Sequence, residues 1–341
     1  MKKNFIYILK NNYKYKILII IILLLILIFI IKDTNIKQNS NYLKDELLNL
    51  YNITTPIEYL HSGGNLGNVL LILNNLINIC ENIKCKYIVT PPGLDELIKN
   101  IIFYKEYNIT ILPCYYKNKD NISLTLNPYQ ALIFRYSNKI HNIRMNILKN
   151  EILSNLPKYN ANPNDLYINI RSGDVFIRTI HDKYAQPPLC FYKKIINENN
   201  YSNIYLISNG HENPVVDVLL KLYKKIKYIH GSPLEDASVI VNAYNLILPI
   251  SSFPYSLLRL NNNLKRVYIY DILVEEEKIN WYGTDYYLQF DNFTIYKMKP
   301  SLAYESIMKG KWKNTTEQLN LMIKEKCINS SFNIISKPKN T

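Results

Sequence analysis

In "LYINIRSGDVF" an alternating run, Leu166, Ile168 and Ile170 against Tyr167 and Asn169, breaks into Arg171, Ser172, Gly173 and Asp174. Alternation of this period predicts a strand, so Arg171 stands at a strand end. Its planar guanidinium suits a phosphate. Gly173 permits a bend, and Asp174 can brace the arginine or cap the next element. A surface salt bridge beside a turn is the plainer use of the same residues. A second polar break comes after "LILPI", where Ser251 and Ser252 precede "FPYSLL". Ser252 reads as an N-cap with Pro254 in the first turn. Hydroxyls and free N–H groups there would hold a phosphate, although capping alone is worth about 1 kcal/mol and needs no ligand. Asp236, with fourteen residues between it and the serine pair, lies near a helix start. It is a helix-start acid or an acceptor for a base edge. A third loop, "HSGGNLGN", His61 to Asn68, carries Gly63, Gly64 and Gly67. Its glycines allow tight turns and close backbone approach, and the helix start behind it attracts anions. An ordinary strand-to-helix turn has the same composition.

Three such loops need a scaffold that brings strand ends together. From Pro56 onward the pattern alternates. "IEYLH", "KYIVT", "ITILP" and "ALIF" read as strands, with "VLLILNNLINICENI" and "DELIKNIIF" as helices between them. "LPKYNANPN", residues 156–164, is a loop rich in Asn and Pro and marks a boundary. Beyond it the strands are "LYINI", "IYLIS", "KYIH", "LILPI" and "RVYIY". The helices are "LCFYKKIINEN", "PVVDVLLKLYKK", "LEDASVIVNAY" and "FPYSLLRLNNN". Strands alternating with helices imply parallel sheets wound on both faces. Two such units predict two facing Rossmann-like domains, 56–160 and 161–290, with ligands at the carboxyl ends of strands. The remainder, 291–341, holds a helix "TTEQLNLMIKEKC" and then frays.

The compartment is read from the N-terminus. Residues 17–31 are fifteen uninterrupted apolar residues between Lys16 and Lys32. A full span takes about 20 residues. Snorkelling lysines and thinner internal membranes lower that requirement. A cleaved signal peptide needs small residues that "FIIKDTNIK" lacks, and a core helix would not be apolar all round. The expectation is an uncleaved signal anchor, with a cytoplasmic tail at 1–16 and a stem at 32–55. Lys2, Lys3, Lys10, Lys14 and Lys16 precede the segment, which orients the rest of the chain into the lumen.

The formal net charge is +14, yet no Lys/Arg stripe appears, which disfavours nucleic acid and favours an anionic small ligand or a membrane surface. Of five cysteines, Cys80, Cys85, Cys114, Cys190 and Cys327, none forms a Cys-x-x-Cys pair, and no His cluster has metal spacing. One or two disulfides are permitted in a lumenal domain. Sequons at Asn52, Asn108, Asn121, Asn200, Asn292, Asn314 and Asn329 permit the same reading.

The motifs resemble those of the fucosyltransferase superfamily that contains the α1,2-, α1,6- and protein O-fucosyltransferases and the nodulation enzymes. "INIRSGD" is similar to its His-x-Arg-x-Gly-Asp signature, and "GGNLGN" to its Gly-Gly-x-Gly-Asn loop. Asp236 with Ser251 and Ser252 resembles the aspartate and paired serines of the α1,6 enzymes. The resemblance covers about 57–260. It implies an α/β fold of GT-B type, no cofactor and a GDP-fucose donor. Arg171 would bind the β-phosphate, and Ser251 and Ser252 phosphate oxygens. Asp236 would accept from the guanine edge, and Gly64, Gly67 and Asn68 would close over the donor. The acceptor would be a glycan or glycoprotein in the ER or Golgi. Asn169 stands where the signature has His, so Asn169 can hydrogen-bond a nucleotide but has no acid/base role. "SNGHEN", Ser208 to Asn213, keeps only the Ser-Asn of a further motif.

Sugar transfer from such a donor develops negative charge on the leaving diphosphate, which fixed cations or a metal must neutralise. No Asp-x-Asp occurs in the chain, so Arg171, braced by Asp174, and the helix starts are expected to do this without a metal. Asp174, His61, His181 and Glu235 are candidate general bases. Tyr184 and Gln186 either line the acceptor side or fix the start of the next helix. Two other readings stay open: a lumenal transferase with a different nucleotide or a sulfuryl donor, and a membrane-anchored binding protein without catalysis.

Overall fold

The computed structural model describes residues 57–59, 66–83, 86–90, 93–104, 109–113, 124–126, 145–178, 180–273, 293–327 and 330–336. The apolar stretch 17–31, the stem, His61, Gly64 and "ALIF" lie outside these. No helix among the described residues is long and apolar enough to cross a membrane.

The first half runs β1 (Ile57–Tyr59), α1 (Leu66–Ile83), β2 (Tyr87–Val89), β3 (Ile102–Tyr104), β4 (Ile109–Leu112) and β5 (Leu124–Leu126). The sheet order is β3-β4-β2-β1-β5, parallel except for β3. In α1, Val69, Leu70, Leu73, Leu76, Ile77 and Cys80 are buried, the spacing of one helical face. The expected helix "DELIKNIIF" does not form. Residues 94–98 make one tight turn, and Ile102–Tyr104 pair antiparallel with β4 at the sheet edge. Ile102 opposite Ile111 gains a ladder that a lone helical turn could not supply.

Helix α2 (Met145–Asn155) joins the halves. Its Asn155 Nδ2 donates to Leu97 O at 3.2 Å, and its Lys149 reaches Asn262. The loop 156–164 comes next, as its composition predicts.

The second half contains β6 (Leu166–Ile170), α3 (Asp174–Ile177), α4 (Leu189–Glu198), β7 (Ile204–Ser208), α5 (Pro214–Leu222), β8 (Ile226–Ile229), α6 (Pro233–Asn242), β9 (Asn245–Ile247), α7 (Ser252–Leu257) and β10 (Arg266–Tyr270). The described residues beyond 290 form β11 (Thr294–Met298), α8 (Leu302–Met308), α9 (Thr316–Lys324) and β12 (Phe332–Ser336): α9 is the expected helix, and the stretch after it pairs into the sheet where fraying is expected. The seven strands lie in the order β12-β11-β10-β9-β6-β7-β8, and only β12 is antiparallel. This is a Rossmann-like winding. It proceeds outward from β6 to β8, then returns and proceeds from β9 to β11, so its direction reverses between β6 and β9.

All five residues of β6 are buried, because helices cover both faces of a parallel sheet. Tyr167, on the outward side of an alternating strand by pattern alone, instead stacks on Tyr205 at 5.2 Å. The Cys190–Cys327 disulfide ties the chain after α9 to the start of α4. Cys80 is also disulfide-bonded. The buried apolar residues of the two halves form one contiguous cluster.

Candidate functional site at the reversal of the second sheet

β6 ends at Ile170 and β9 at Ile247, and the two strands are neighbours. Their trailing loops therefore share one crevice. Arg171 leaves β6, and Ser251 sits at the N-cap of α7. Arg171 Nη1 donates to Ser251 Oγ at 3.2 Å. The cap is Ser251, not Ser252 as the sequence predicts: Ser251 Oγ accepts from Phe253 N at 3.4 Å. Having accepted twice, the Ser251 hydroxyl keeps its own proton to donate.

Arg171 is gripped on a second side. Its Nη2 donates to both oxygens of Asp174, at 3.2 and 3.1 Å, and its guanidinium lies 5.1 Å above the Tyr184 ring. The side chain is 12% exposed. Nε has no hydrogen-bond partner among the described residues, so the fork keeps donors to spare. Asn169, two residues earlier and so on the same face of the strand, is buried and donates to Ile207 O at 3.4 Å.

The turn that presents Arg171 is clasped by the loop after β7. Glu212 Oε2 accepts from Ser172 Oγ at 2.8 Å and from Gly173 N at 2.9 Å. Asn209 Oδ1 accepts from Ser172 N at 3.1 Å, and Asn213 Nδ2 donates to Arg171 O at 3.0 Å. Hydrogen bonds from its own backbone N–H, the Ser172 hydroxyl and the Gly173 N–H hold the Glu212 carboxyl below the usual glutamate range. Gly173 has φ 63°, and a Cβ there would come within 2.6 Å of Asn209 Nδ2. This loop is the "SNGHEN" stretch. Its role is hidden in the sequence because several separate side chains share it.

Asn169, Arg171, Asp174, Asn209 and Ser251 line a cavity of about 720 Å³ that also receives Ser252, Asp236 and, from the first half, Leu66, Asp95 and Glu96. Asp236 is 7% exposed, and its Oδ1 has no hydrogen-bond partner among the described residues. Burial pushes its carboxyl up to about 6, against the weaker pull of the Gly231 backbone and His230. A buried acceptor without a donor is costly unless something else meets it. Asn169, Arg171, Asp174, Asp236, Ser251 and Ser252, singled out from sequence, thus line one cavity.

Other predicted residues go elsewhere. Gly67 and Asn68 form the joint between the halves, beside the cavity. Ser252 Oγ donates to Asn68 Oδ1 at 2.6 Å, and a Cβ on Gly67 would fall 2.4 Å from Phe253 Cα. Glu235 is spent in a capping box with Ser232. His181 pairs with Asp182 at the surface, away from the cavity wall. Gln186 is fully buried. Its amide donates to Ile250 O and accepts from Ile250 N, so it fixes the path of the chain. The sequon at Asn314 has its amide committed to Phe176 O.

Three contributors escape a reading of the sequence. Asp95 and Glu96 fall in a stretch whose pattern predicts a helix. Trp312 lies in the supposed tail, yet its Nε1 donates to Val175 O at 3.2 Å and its ring packs edge-on against Phe176. It thereby holds α3, directly behind Arg171 and Asp174. Comparison of the chain with protein families, curated proteins and solved structures finds no match.

Proposed function

We propose that the chain is a metal-independent glycosyltransferase of GT-B-like architecture, moving fucose from GDP-fucose to a glycan or glycoprotein in the secretory pathway. The observation that carries this is the convergence on one cavity, where the parallel sheet reverses, of Arg171, Ser251 and Asp236, whose Oδ1 has no hydrogen-bond partner among the described residues. Cation and hydroxyl donors at one end suit a diphosphate. A buried carboxylate elsewhere on the wall suits paired N–H donors of a guanine edge. The Cys190–Cys327 disulfide agrees with an oxidising lumen, and residues 17–31 would be the anchor.

In this reading the remaining Nη protons of Arg171, with the Ser251 hydroxyl, meet the leaving diphosphate. They are already aimed, so little reorganisation is needed as charge develops. Asp174 and Tyr184 hold the guanidinium in place, and the Glu212 clasp holds its backbone. Asn169 offers an amide and no proton relay.

A thermal-shift panel of GDP, UDP, CMP and 3′-phosphoadenosine 5′-phosphate on the full-length chain tests the donor. GDP is expected to give the largest stabilisation. A larger response to another nucleotide removes the GDP-fucose assignment. The Asp174 grip on Arg171 favours one second reading, nucleotide binding without turnover. Release of GDP from GDP-fucose separates the two.

A further inference from the structure

We propose that Glu96 is the general base of this cavity, taking the proton of the acceptor hydroxyl. This rests on the transfer reading above. The leaving group in that reading is held by Arg171 and Ser251, both from the second half. Displacement with inversion brings the nucleophile to the opposite face of the sugar, and the first half supplies a wall of its own to this cavity, Leu66, Gly93, Asp95 and Glu96. That wall lies just beyond the carboxyl end of β2, where Gly93 has φ 95° and turns the chain. Leu94, Leu97 and Ile98 of the turn are fully buried, and Leu97 N and Ile98 N donate to Leu94 O at 2.9 and 2.8 Å. Asp95 and Glu96 are the exposed residues on this anchored turn and line the cavity.

Among the described residues, the cavity wall holds four carboxylates: Asp95, Glu96, Asp174 and Asp236. Asp174 is held by both oxygens on Arg171. Asp236 is buried in the second half. Asp95 is engaged by another group of the protein. Glu96 is the first-half carboxylate left for proton transfer. Asp236 lines the same cavity, and its Oδ1 is buried without a hydrogen-bond partner among the described residues.

In the transfer step a lone pair on the acceptor oxygen forms the bond to the anomeric carbon. The bond from that carbon to the phosphate oxygen breaks, and its electron pair leaves with GDP. The hydroxyl proton passes to the Glu96 carboxylate.

The test uses full-length Glu96→Gln and Asp95→Asn, with GDP binding by thermal shift and GDP release from GDP-fucose, water serving as acceptor. Glu96→Gln is expected to bind GDP as the wild type does. Its GDP release should fall at least about 100-fold, and the acidic limb of the pH–rate profile should vanish. Sodium azide attacks without losing a proton, so it should restore GDP release and yield fucosyl azide. Turnover within about threefold of wild type, a loss that azide does not repair, or weakened GDP binding would each overturn the assignment. So would a loss confined to Asp95→Asn. A wild-type chain that binds GDP but does not turn over GDP-fucose sinks the transfer reading and this assignment with it, and one that ignores GDP sinks the donor as well.

Discussion

Arg171 Nη1 lies 3.2 Å from Ser251 Oγ across 80 residues of chain, and the contact bridges the two strands between which the second sheet reverses direction. Each residue comes after its own strand, so their meeting depends on β6 and β9 being neighbours. Open parallel sheets bind ligands at such a point because the loops on either side diverge and leave a crevice.

Arg171→Ala should leave the fold intact and weaken GDP binding. A hydrogen bond to a charged group contributes about 1.5–3 kcal/mol, so roughly 10- to 100-fold in affinity is expected. Arg171→Lys should recover only part of this, since an ammonium lacks the planar fork. Calorimetric titration with GDP measures both. Unchanged affinity in Arg171→Ala would remove the residue from the site.

Asp236 makes GDP binding depend on pH. Its folded carboxyl is raised from 3.8 to about 6, first by burial. Paired N–H donors bind the ionised form, so affinity should be flat above about pH 6 and weaken by up to about tenfold per unit below it. Stability of the free protein runs the other way. For an acid whose folded value is raised, the contribution is greatest below the unfolded value and is lost as pH rises through about 6. Asp236→Asn should flatten both curves in GDP titration and urea unfolding between pH 5 and 7.5.

Glu212 should act on the site through the Arg171 turn. Glu212→Ala removes the acceptor for Ser172 Oγ and Gly173 N. The expected result is a fall in turnover with most GDP affinity retained, and partial rescue by Glu212→Gln, whose amide oxygen can still accept. Because the folded carboxyl is depressed, its contribution is complete above the ordinary glutamate pKa and fades as pH falls through the lower folded value. Equal loss in the Ala and Gln variants would contradict the clasp.

Gly67→Ala should loosen the joint between the halves. The new Cβ would meet Phe253 Cα at 2.4 Å and Phe253 N at 2.6 Å, both backbone atoms that cannot swing aside. Overpacking of this kind costs about 1–3 kcal/mol. Chemical denaturation would read it, and an unchanged midpoint would show that the halves part easily.

Reduction, or Cys327→Ser, should destabilise the second half. The bridge spans 137 residues, and loss of a native disulfide costs about 2–5 kcal/mol. Unfolding of Cys327→Ser against the wild type gives the figure, since reductant also opens the bridge at Cys80.

The second half is the more legible part. "LYINI", "IYLIS" and "RVYIY" form the expected strands to the residue, because apolar β-rich runs bounded by polar loops leave few alternatives. The first half is less legible. "DELIKNIIF" has the periodicity of a short helix, yet partner strand β4 claims its end. β12 leaves little trace in the sequence because an edge strand is defined by what it pairs with. The same holds for Ser251 and Ser252. Either serine could cap α7 by pattern; the backbone decides, since Ser251 is extended and Ser252 already lies in the helix.

The sequence by itself determined that polar, phosphate-suited residues stand at the ends of strands, and that those strands alternate with helices. These are local properties, written in periodicity and in the conformational demands of glycine, serine and proline. Only the tertiary structure decided which strand ends meet, that Gly67 and Asn68 join the halves, and that Asp95 and Glu96 share a cavity with Arg171. Those outcomes depend on strand order and on the packing of one half against the other, and residue spacing along a chain carries neither.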